Sequence, residues 1–202
     1  MNMIANQHKL QNEIAQLESM SKQGESYANA SGRYGWRNPI RADTGPLLSE
    51  RVARRSPRRI LEVGTAHGLS ALHLMNGVDW AEGGVAMDTI EFHEEVARGA
   101  QQRFVDLGLP VHVHCGEAMD VIQNQLSGPY DLVFLDAQKS HYGKQLRALM
   151  DLGLLSPDCV LLADNVIDRR VECTDLMETL QMRGIPFCIL PTQCGLLQAR
   201  IP

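Results

Sequence analysis

Three oxygen-bearing side chains lie directly after two apolar segments of the chain. Asp136 follows the run DLVFL, and Asp164 and Asn165 follow the run CVLLA. Short apolar runs are typical of buried strands, and ligands bind beyond the carboxyl ends of the strands in open α/β sheets. Two carboxylates and an amide oxygen suit a hard cation such as Mg²⁺. Either site alone also fits helix capping, but the two sites together favour a metal site.

A lysine follows the first of these carboxylates. Lys139 lies about one helical turn after Asp136, within the segment DAQKSHY. The pKa of a lysine next to a divalent cation is expected to fall, and such a lysine can act as a general base. The alternative is a solvated surface lysine. We predict that Lys139 is the catalytic base.

Glycines and acids follow the other apolar segments. Residues 62–70, EVGTAHGLS, have glycines in the spacing G-x-x-x-G, which permits a tight turn and close approach of a ligand, but which also fits a simple turn. Glu91 follows the next segment, where an acid can accept ribose hydroxyls, and Asp88 is a weaker candidate for that role. Glu117, after a third segment, could meet an adenine amino group. Both glutamates also fit helix N-terminal acids.

Predicted strands and helices alternate along most of the chain. The strands are expected at residues 59–63, 85–90, 111–114, 131–135, 159–163, 187–190 and 196–201, and the helices at residues 1–20, 45–55, 69–76, 92–107, 118–126, 141–152 and 171–183. This alternation predicts an α/β fold with a seven-stranded, mostly parallel sheet and helices on both faces. The last two strands have only a short connection, which is too short for a parallel crossover, so they are expected to form an antiparallel hairpin at the sheet edge.

Composition narrows the class of protein. The net charge of −5 and the pI near 5.8 favour a small-molecule substrate over nucleic acid. No apolar run approaches the roughly 18 residues of a membrane span, and the first ten residues do not resemble a signal peptide. Five cysteines without a C-x-x-C pair fit a reducing cytoplasm, which we predict as the location.

The motifs described above resemble those of the cation-dependent class I O-methyltransferases, a family that includes catechol and caffeoyl-CoA O-methyltransferases. LEVGTAHGLSALHL is similar to its first cofactor motif, DTIEFHEE to the strand that ends in a ribose-binding glutamate, DLVFLDAQKSHY to its D-A-x-K-x-x-Y segment, and LLADNV to its second metal motif. The resemblance extends from about Thr44 to the C-terminus. It implies a Rossmann-like class I methyltransferase fold, with S-adenosylmethionine and Mg²⁺ or another divalent cation as cofactors.

The resemblance also implies roles for individual residues. Asp136, Asp164 and Asn165 would hold the metal, and Lys139 would be the base. Cofactor contacts are implied for Glu62, Gly64, Ser70, Glu91, Gly116 and Ala118, and we add Thr44, Thr65, Glu117 and Asp136 to the predicted cofactor-binding set. Family members often carry an aromatic residue where Leu69 stands and some carry a tryptophan where Gln138 stands, and His67 is unusual in its loop. The segment before Thr44 matches weakly, so the acceptor is not identified.

Three alternatives to a small catechol-like or phenolic acceptor stay open. Some similar bacterial enzymes methylate hydroxyuridine in tRNA, and a cluster of arginines could then bind phosphates, although we favour a solvated face as its explanation. These arginines are Arg51, Arg54, Arg55, Arg58 and Arg59. A protein that binds S-adenosylmethionine without catalysis is a second alternative. An NAD-dependent oxidoreductase is disfavoured because G-x-G-x-x-G is absent.

The organisation of the chain is the last prediction. We expect one methyltransferase domain over residues 1–202, with a helix and a substrate-side loop in residues 1–44 and the cofactor-binding core in residues 45–202. Residues 21–39 contain glycines and aromatic side chains, so they fit either a functional loop or a surface meander. The amphipathic first helix and the family resemblance predict a homodimer.

Overall fold

Seven strands form one twisted sheet in the computed structural model, which describes residues 3–22, 39–81 and 83–202. Its strands are β1 (Arg59–Val63), β2 (Ala86–Glu91), β3 (Val111–Cys115), β4 (Tyr130–Leu135), β5 (Leu155–Ala163), β6 (Phe187–Leu190) and β7 (Leu196–Ile201). Their order is β3-β2-β1-β4-β5-β7-β6, and β7 runs antiparallel to both of its neighbours. The predicted α/β fold and its edge hairpin are therefore confirmed.

Helices cover both faces of this sheet. They are α1 (Met3–Lys22), α2 (Thr44–Arg55), α3 (Leu69–Asn76), α4 (Glu94–Asp106), α5 (Ala118–Asn124), α6 (Tyr142–Asp151) and α7 (Thr174–Met182), with a 3₁₀ turn at Lys139–His141. Side chains of α1–α4 pack into one apolar cluster and those of α5–α7 into the other, because successive residues of each strand point to opposite faces. No helix in the described ranges is both long and apolar enough to span a bilayer.

Helix α1 shares the core of the α2–α4 face. Its side chains Leu10, Ile14 and Leu17 are buried in that apolar cluster, and their spacing places them on one side of the helix. The predicted amphipathic helix is present. The predicted loop over residues 21–39 lies, apart from its ends, outside the described residues.

The bounds of several predicted elements differ from the structure; helix α7, for example, begins at Thr174 rather than at residue 171, and two other differences have clear reasons. Helix α4 begins at Glu94 rather than Phe92, and the Phe92 side chain is 65% exposed instead of continuing the buried face. The chain bends after β2, so Phe92 lies at the strand end. Strand β5 begins at Leu155, earlier than predicted; its pairing with β4 is irregular there, next to Pro157, which cannot donate to the ladder.

A polar cluster around Asp88 joins four strands of the sheet. The Asp88 carboxylate of β2 accepts hydrogen bonds from Arg59 at 2.8 Å, Tyr130 at 2.8 Å and His114 at 2.9 Å. Burial alone would raise the pKa of Asp88, but the hydrogen bonds from His114, Tyr130 and Arg59 outweigh it and lower the pKa to about 2. The sequence-based alternative of Asp88 as a ribose ligand is therefore not supported, because this carboxylate is already engaged.

We expect the Asp88→Asn variant to lose about 2 kcal/mol of unfolding free energy at pH 7. The pKa of Asp88 is depressed from 3.8 to about 2 in the folded state, so its contribution is complete above pH 3.8 and is lost as the pH falls through about 2. Urea unfolding of both proteins at pH 7, 4 and 3 measures this. Asp106→Asn, which removes an exposed acid, is the control. An equal difference between wild type and Asp88→Asn at all three pH values would contradict the prediction.

Candidate active site

The carboxyl ends of four neighbouring strands are in register and form one row across the sheet. Val63 of β1 is in register with Ile90 of β2 and Leu135 of β4, and Leu135 is in register with Ala163 of β5. The residues that follow this row therefore lie side by side, since neighbouring strands are about 4.8 Å apart. The candidate site residues start at this row.

A pocket of about 540 Å³ opens above this row of strand ends. That volume is in the range of small-molecule sites. Eight of the predicted site residues line it: Gly64, Thr65, Ser70, Glu91, Gly116, Ala118, Asp136 and Lys139. The strand-end argument thus places most of the predicted cofactor residues around one cavity.

Gly64 makes the closest approach between β1 and β4 at this edge. Its φ is +108°, a region that only glycine adopts readily, and a Cβ at this position would lie 2.7 Å from the carbonyl oxygen of Asp136. A side chain here would push the loop away from the end of β4. The first glycine of the G-x-x-x-G segment therefore has a structural requirement beyond an ordinary turn.

Glu91 is held at the pocket wall by two backbone groups. Its Oε2 accepts a hydrogen bond from the amide of Ala66 at 2.8 Å, and its Oε1 accepts one from the amide of His93 at 2.9 Å. Each oxygen has a second lone pair, so the fixed carboxylate can still accept ribose hydroxyls. Glu91 precedes α4 and links the glycine loop to the end of β2.

Glu62 lies beneath the pocket and is fully buried. Its Oε2 accepts a hydrogen bond from the Thr89 hydroxyl at 2.6 Å, and the Thr89 and Thr65 hydroxyls are 2.6 Å apart. Burial raises the pKa of Glu62 to about 8, while the hydroxyls of Ser70 and Thr89 oppose that rise. Glu62 does not line the cavity; it lies beneath the glycine loop and supports it through this hydrogen-bond network.

Asp136 and Asp164 lie on neighbouring strand ends, because each follows one member of the paired residues Leu135 and Ala163. Burial, followed by the charge of Asp136, raises the pKa of Asp164 to about 7, and burial also raises the pKa of Asp136. The Oδ1 atom of Asp164 is buried and accepts no hydrogen bond from the described residues. The negative charge of these two buried carboxylates is therefore not fully balanced by nearby positive charge.

Asn165 follows these carboxylates with an unusual backbone. Its φ is +66°, which Asn tolerates better than most residues, and it lies next to Asp164 at the end of β5. In the ranges 3–22, 39–81 and 83–202, no three His, Cys, Asp or Glu side chains form a ready-made metal cluster. The candidate metal set therefore consists of two carboxylates and one amide.

Lys139 reaches back to the first carboxylate. Its Nζ donates to Asp136 Oδ1 at 2.7 Å and lies 5.6 Å from the centre of the Tyr142 ring. The Tyr142 hydroxyl is buried without a hydrogen-bond partner among the described residues. Burial, with the charge of Asp136 as a second cause, raises the pKa of Tyr142 well above its usual value, so this hydroxyl stays protonated.

Besides Glu62, two predicted cofactor residues lie away from the cavity wall. The Glu117 carboxylate caps α5, accepting hydrogen bonds from the amides of Met119 and Asp120, which is the alternative left open by the sequence. Thr44, at the start of α2, is fully buried, and its hydroxyl has no hydrogen-bond partner in the described part of the chain. Neither residue lines the pocket.

The arginine cluster lies near the amino end of β1, at the end of the sheet opposite the pocket. Arg59 is the first residue of β1, whereas the pocket begins after the last, so about 15 Å of strand separates them. Arg59 pairs with Asp88, and Arg54 pairs with Glu50 at 2.6 Å. These arginines are not placed to bind a ligand in the pocket.

Several pocket residues were not predicted from the sequence. Ile40, Phe92, His93 and Val96 line the cavity beside Glu91 and the glycine loop. Phe92 and His93 follow β2 directly, so the strand-end argument could have found them. Ile40 and Val96 carry no such signal, because their approach depends on how α2 and α4 pack.

Comparison with known proteins agrees with this geometry. Residues 61–166, more than half of the chain, match a family model described as a methyltransferase domain. Catechol O-methyltransferase of Mycobacterium tuberculosis is 32% identical over 153 residues, covering 72% of this chain and 68% of its own length. The SAH-bound methyltransferase PaMTH1 of Podospora anserina superposes with a TM-score of 0.66 at 25% identity, covering 79% of this chain and 78% of that one.

An O-methyltransferase of Bacillus cereus in complex with SAH shares the fold, with a TM-score of 0.73 at 22% identity over 96% of this chain and 91% of that one. Several curated O-methyltransferases are longer, and the chain spans about half of their length. The chain belongs to the methyltransferase-domain family, among the S-adenosylmethionine-dependent O-methyltransferases that include the catechol O-methyltransferases.

Proposed function

We propose that the protein is a Mg²⁺-dependent O-methyltransferase that moves the methyl group of S-adenosylmethionine to a hydroxyl of a small catechol-like or phenolic acceptor. The observation that carries this proposal is that Asp136, with a side chain only 11% exposed, lines the pocket, while the buried Asp164 follows the neighbouring strand. Burial raises the pKa of both carboxyl groups, and the charge of Asp136 raises that of Asp164 further. A divalent cation would favour the charged form of both.

The donor atoms present suit Mg²⁺. Asp136, Asp164 and Asn165 would hold it through oxygen atoms. The buried Asp164 Oδ1 has no hydrogen-bond partner among the described residues, and a cation would supply one. Bound at this position, Mg²⁺ would lower the pKa of an acceptor hydroxyl, a chemistry that suits two neighbouring acceptor oxygens.

Other residues of the chain would bind the cofactor and accept the proton. Glu91 and the glycine loop would hold the ribose and methionine parts of S-adenosylmethionine, which supplies an already activated methyl group. Lys139, at the pocket wall, would accept the proton of the acceptor hydroxyl on Nζ. Fixing donor and acceptor in line would supply much of the rate enhancement.

The remaining predictions also stand as proposals. Residues 1–44 would contribute the acceptor side of the site and residues 45–202 the cofactor core of one domain. We further propose a cytoplasmic homodimer that acts on a small molecule, without association with membranes. Transfer to tRNA and cofactor binding without catalysis are outcomes of the test below, since no contact in the site favours either.

Calorimetric titration with S-adenosylmethionine, followed by methyl transfer to a catechol panel in Mg²⁺ or EDTA, tests the function. We expect binding, and transfer that EDTA removes. Transfer that is unchanged by EDTA would exclude the metal role. Binding without transfer to any small acceptor, together with salt-dependent retention on RNA, would favour the tRNA alternative. Absence of cofactor binding would overturn the proposal.

A further inference from the structure

The glycine loop that follows β1 has an unusual backbone. Among residues 64–68, Gly64, Ala66 and Gly68 all have positive φ, at +108°, +45° and +88°. A non-glycine residue in the left-handed region costs roughly 1–2 kcal/mol, so neighbouring groups must hold Ala66 in place. The same loop forms part of the pocket wall, and its shape therefore sets the shape of the cofactor site.

One side of the loop is held by the end of β2. The amides of Gly64 and Thr65 donate to the carbonyl oxygen of Ile90, and the amide of Ala66 donates to the carboxylate of Glu91. These contacts hold the first half of the loop. In the second half, the amide of Gly68 donates to the carbonyl oxygen of Thr65 at 2.8 Å, whereas the carbonyl oxygen of His67 is bound by another element.

Helix α4 contacts that second half. Arg103 donates through Nη1 to the carbonyl oxygen of His67 at 2.9 Å, and the Phe104 ring lies so close to Gly68 that a Cβ there would be 2.8 Å from it. The Arg103 side chain is only 11% exposed, which makes its hydrogen bond stronger than one in water. Arg103 therefore fixes a carbonyl group in the second half of the loop.

The same guanidinium is fixed by α1. Its Nε donates to Oε1 of Glu13 at 2.7 Å, and the Glu13 side chain is 24% exposed. Glu13 is next to the buried residue Ile14, so the packing of α1 determines where its carboxylate lies. One arginine thus joins three segments: the N-terminal helix, α4 and the glycine loop.

We propose that Arg103 is a positioning residue for the glycine loop, and that Glu13 orients it, so that α1 supports cofactor binding although it does not line the pocket. This inference rests on the assignment of the pocket to S-adenosylmethionine. It predicts an effect on cofactor affinity from a helix outside the pocket, through a side-chain contact between residues 90 positions apart in the sequence.

The pKa of His67 depends on this arrangement of the loop and Arg103. Burial, with the positive charge of Arg103 as a second cause, lowers the pKa of His67 to about 4. The ring is therefore neutral at physiological pH while the loop is closed against α4. Release of the loop from Arg103 would expose the His67 ring, and the pKa of His67 would then return toward the ordinary value of about 6.5.

The test replaces Arg103 by methionine, which keeps an apolar stem of similar length but no donor. The dissociation constant for S-adenosylhomocysteine should rise by about tenfold, as expected for loss of a charged hydrogen bond that orders the loop. Arg103→Lys should recover little of this affinity, because one ammonium lacks the fixed fork that reaches both partners. Glu13→Gln should weaken binding by only about threefold, because its amide oxygen can still accept from Arg103.

Arg98→Met is the matched control. It lies on the same helix and loses an exposed ion pair with Glu94, so its affinity for S-adenosylhomocysteine should match that of the wild type. Kinetically, Arg103→Met should raise KM for S-adenosylmethionine while kcat changes by about twofold or less. An NMR titration should show the pKa of His67 raised in Arg103→Met and unchanged in Arg98→Met.

Some outcomes would overturn the inference alone. These are unchanged affinity in folded Arg103→Met, full recovery by Arg103→Lys, or a fall in kcat at constant KM. Failure of the wild type itself to bind S-adenosylhomocysteine would instead overturn the proposed function, and this inference with it. Circular dichroism and the thermal midpoint show that each variant is folded, and Glu13→Gln tests the same link with the smallest structural change.

Discussion

The Asp164→Asn variant is expected to lose Mg²⁺-stimulated methyl transfer by roughly a hundredfold or more while its thermal stability stays equal or rises. The Asp164 side chain is 1% exposed, and its Oδ1 has no hydrogen-bond partner in the described part of the chain. Asparagine keeps the shape but removes a buried charge that lies close to Asp136. The replacement would therefore relieve the fold of this charge, whereas a divalent cation would lose one of its two anionic ligands.

Two measurements separate these effects. Initial rates of transfer at saturating S-adenosylmethionine, in Mg²⁺ and in EDTA, report the chemistry. Thermal unfolding with and without Mg²⁺ reports binding directly, because a ligand of the folded state raises the midpoint by an amount that grows with the logarithm of its concentration relative to Kd. The wild type should show a Mg²⁺-dependent rise in the midpoint, and the variant should show little.

Asp158→Asn is the matched control for this variant. Asp158 lies on the same strand as Asp164 but at the opposite end, where it is exposed. Its replacement should leave both the rate and the Mg²⁺-dependent midpoint unchanged. A folded Asp164→Asn enzyme with full Mg²⁺-stimulated turnover would rule out the metal site at these strand ends.

The fold and much of the candidate site could be predicted because they depend on local pattern. Alternating apolar segments and helices determine a parallel sheet, and in such a sheet the residues after each strand must share one edge. That reasoning placed Gly64, Glu91 and Asp136 around one cavity. It also predicted the terminal hairpin, since its connection is too short for a crossover.

The remainder depends on partners that no local pattern identifies. Arg103 and Glu13 are far apart in sequence, and only the tertiary fold, in which α1 packs against α3 on the same face of the sheet as α4, brings them together. Glu117 satisfies helix amides instead of facing the pocket, since an acid at that position can do either and the direction of the side chain decides. The polar network of Glu62 with Thr89 and Thr65 likewise requires the register of β1 against β2.

The Lys139→Met variant should lower kcat by a factor of about 10²–10⁴, with little change in the affinity for S-adenosylhomocysteine. Lys139 lines the pocket, its side chain is 13% exposed, and its Nζ contacts the carboxylate that we assign to the metal. Methionine retains the length and the apolar stem but cannot accept a proton. The expected loss is therefore in the proton-transfer step rather than in binding.

Arginine at this position separates a base from a simple positive charge. Lys139→Arg keeps the ion pair with Asp136, but a guanidinium does not deprotonate in proteins, so it cannot serve as the base. Both variants should then be about equally slow, whereas Lys144→Met, which removes an exposed lysine of α6, should retain the wild-type rate. If Lys139→Arg were nearly as active as the wild type, the lysine would act through its charge alone. The acceptor proton would then have to leave by another group or directly to water, and the role of Lys139 would be to hold Asp136 rather than to carry out the chemistry.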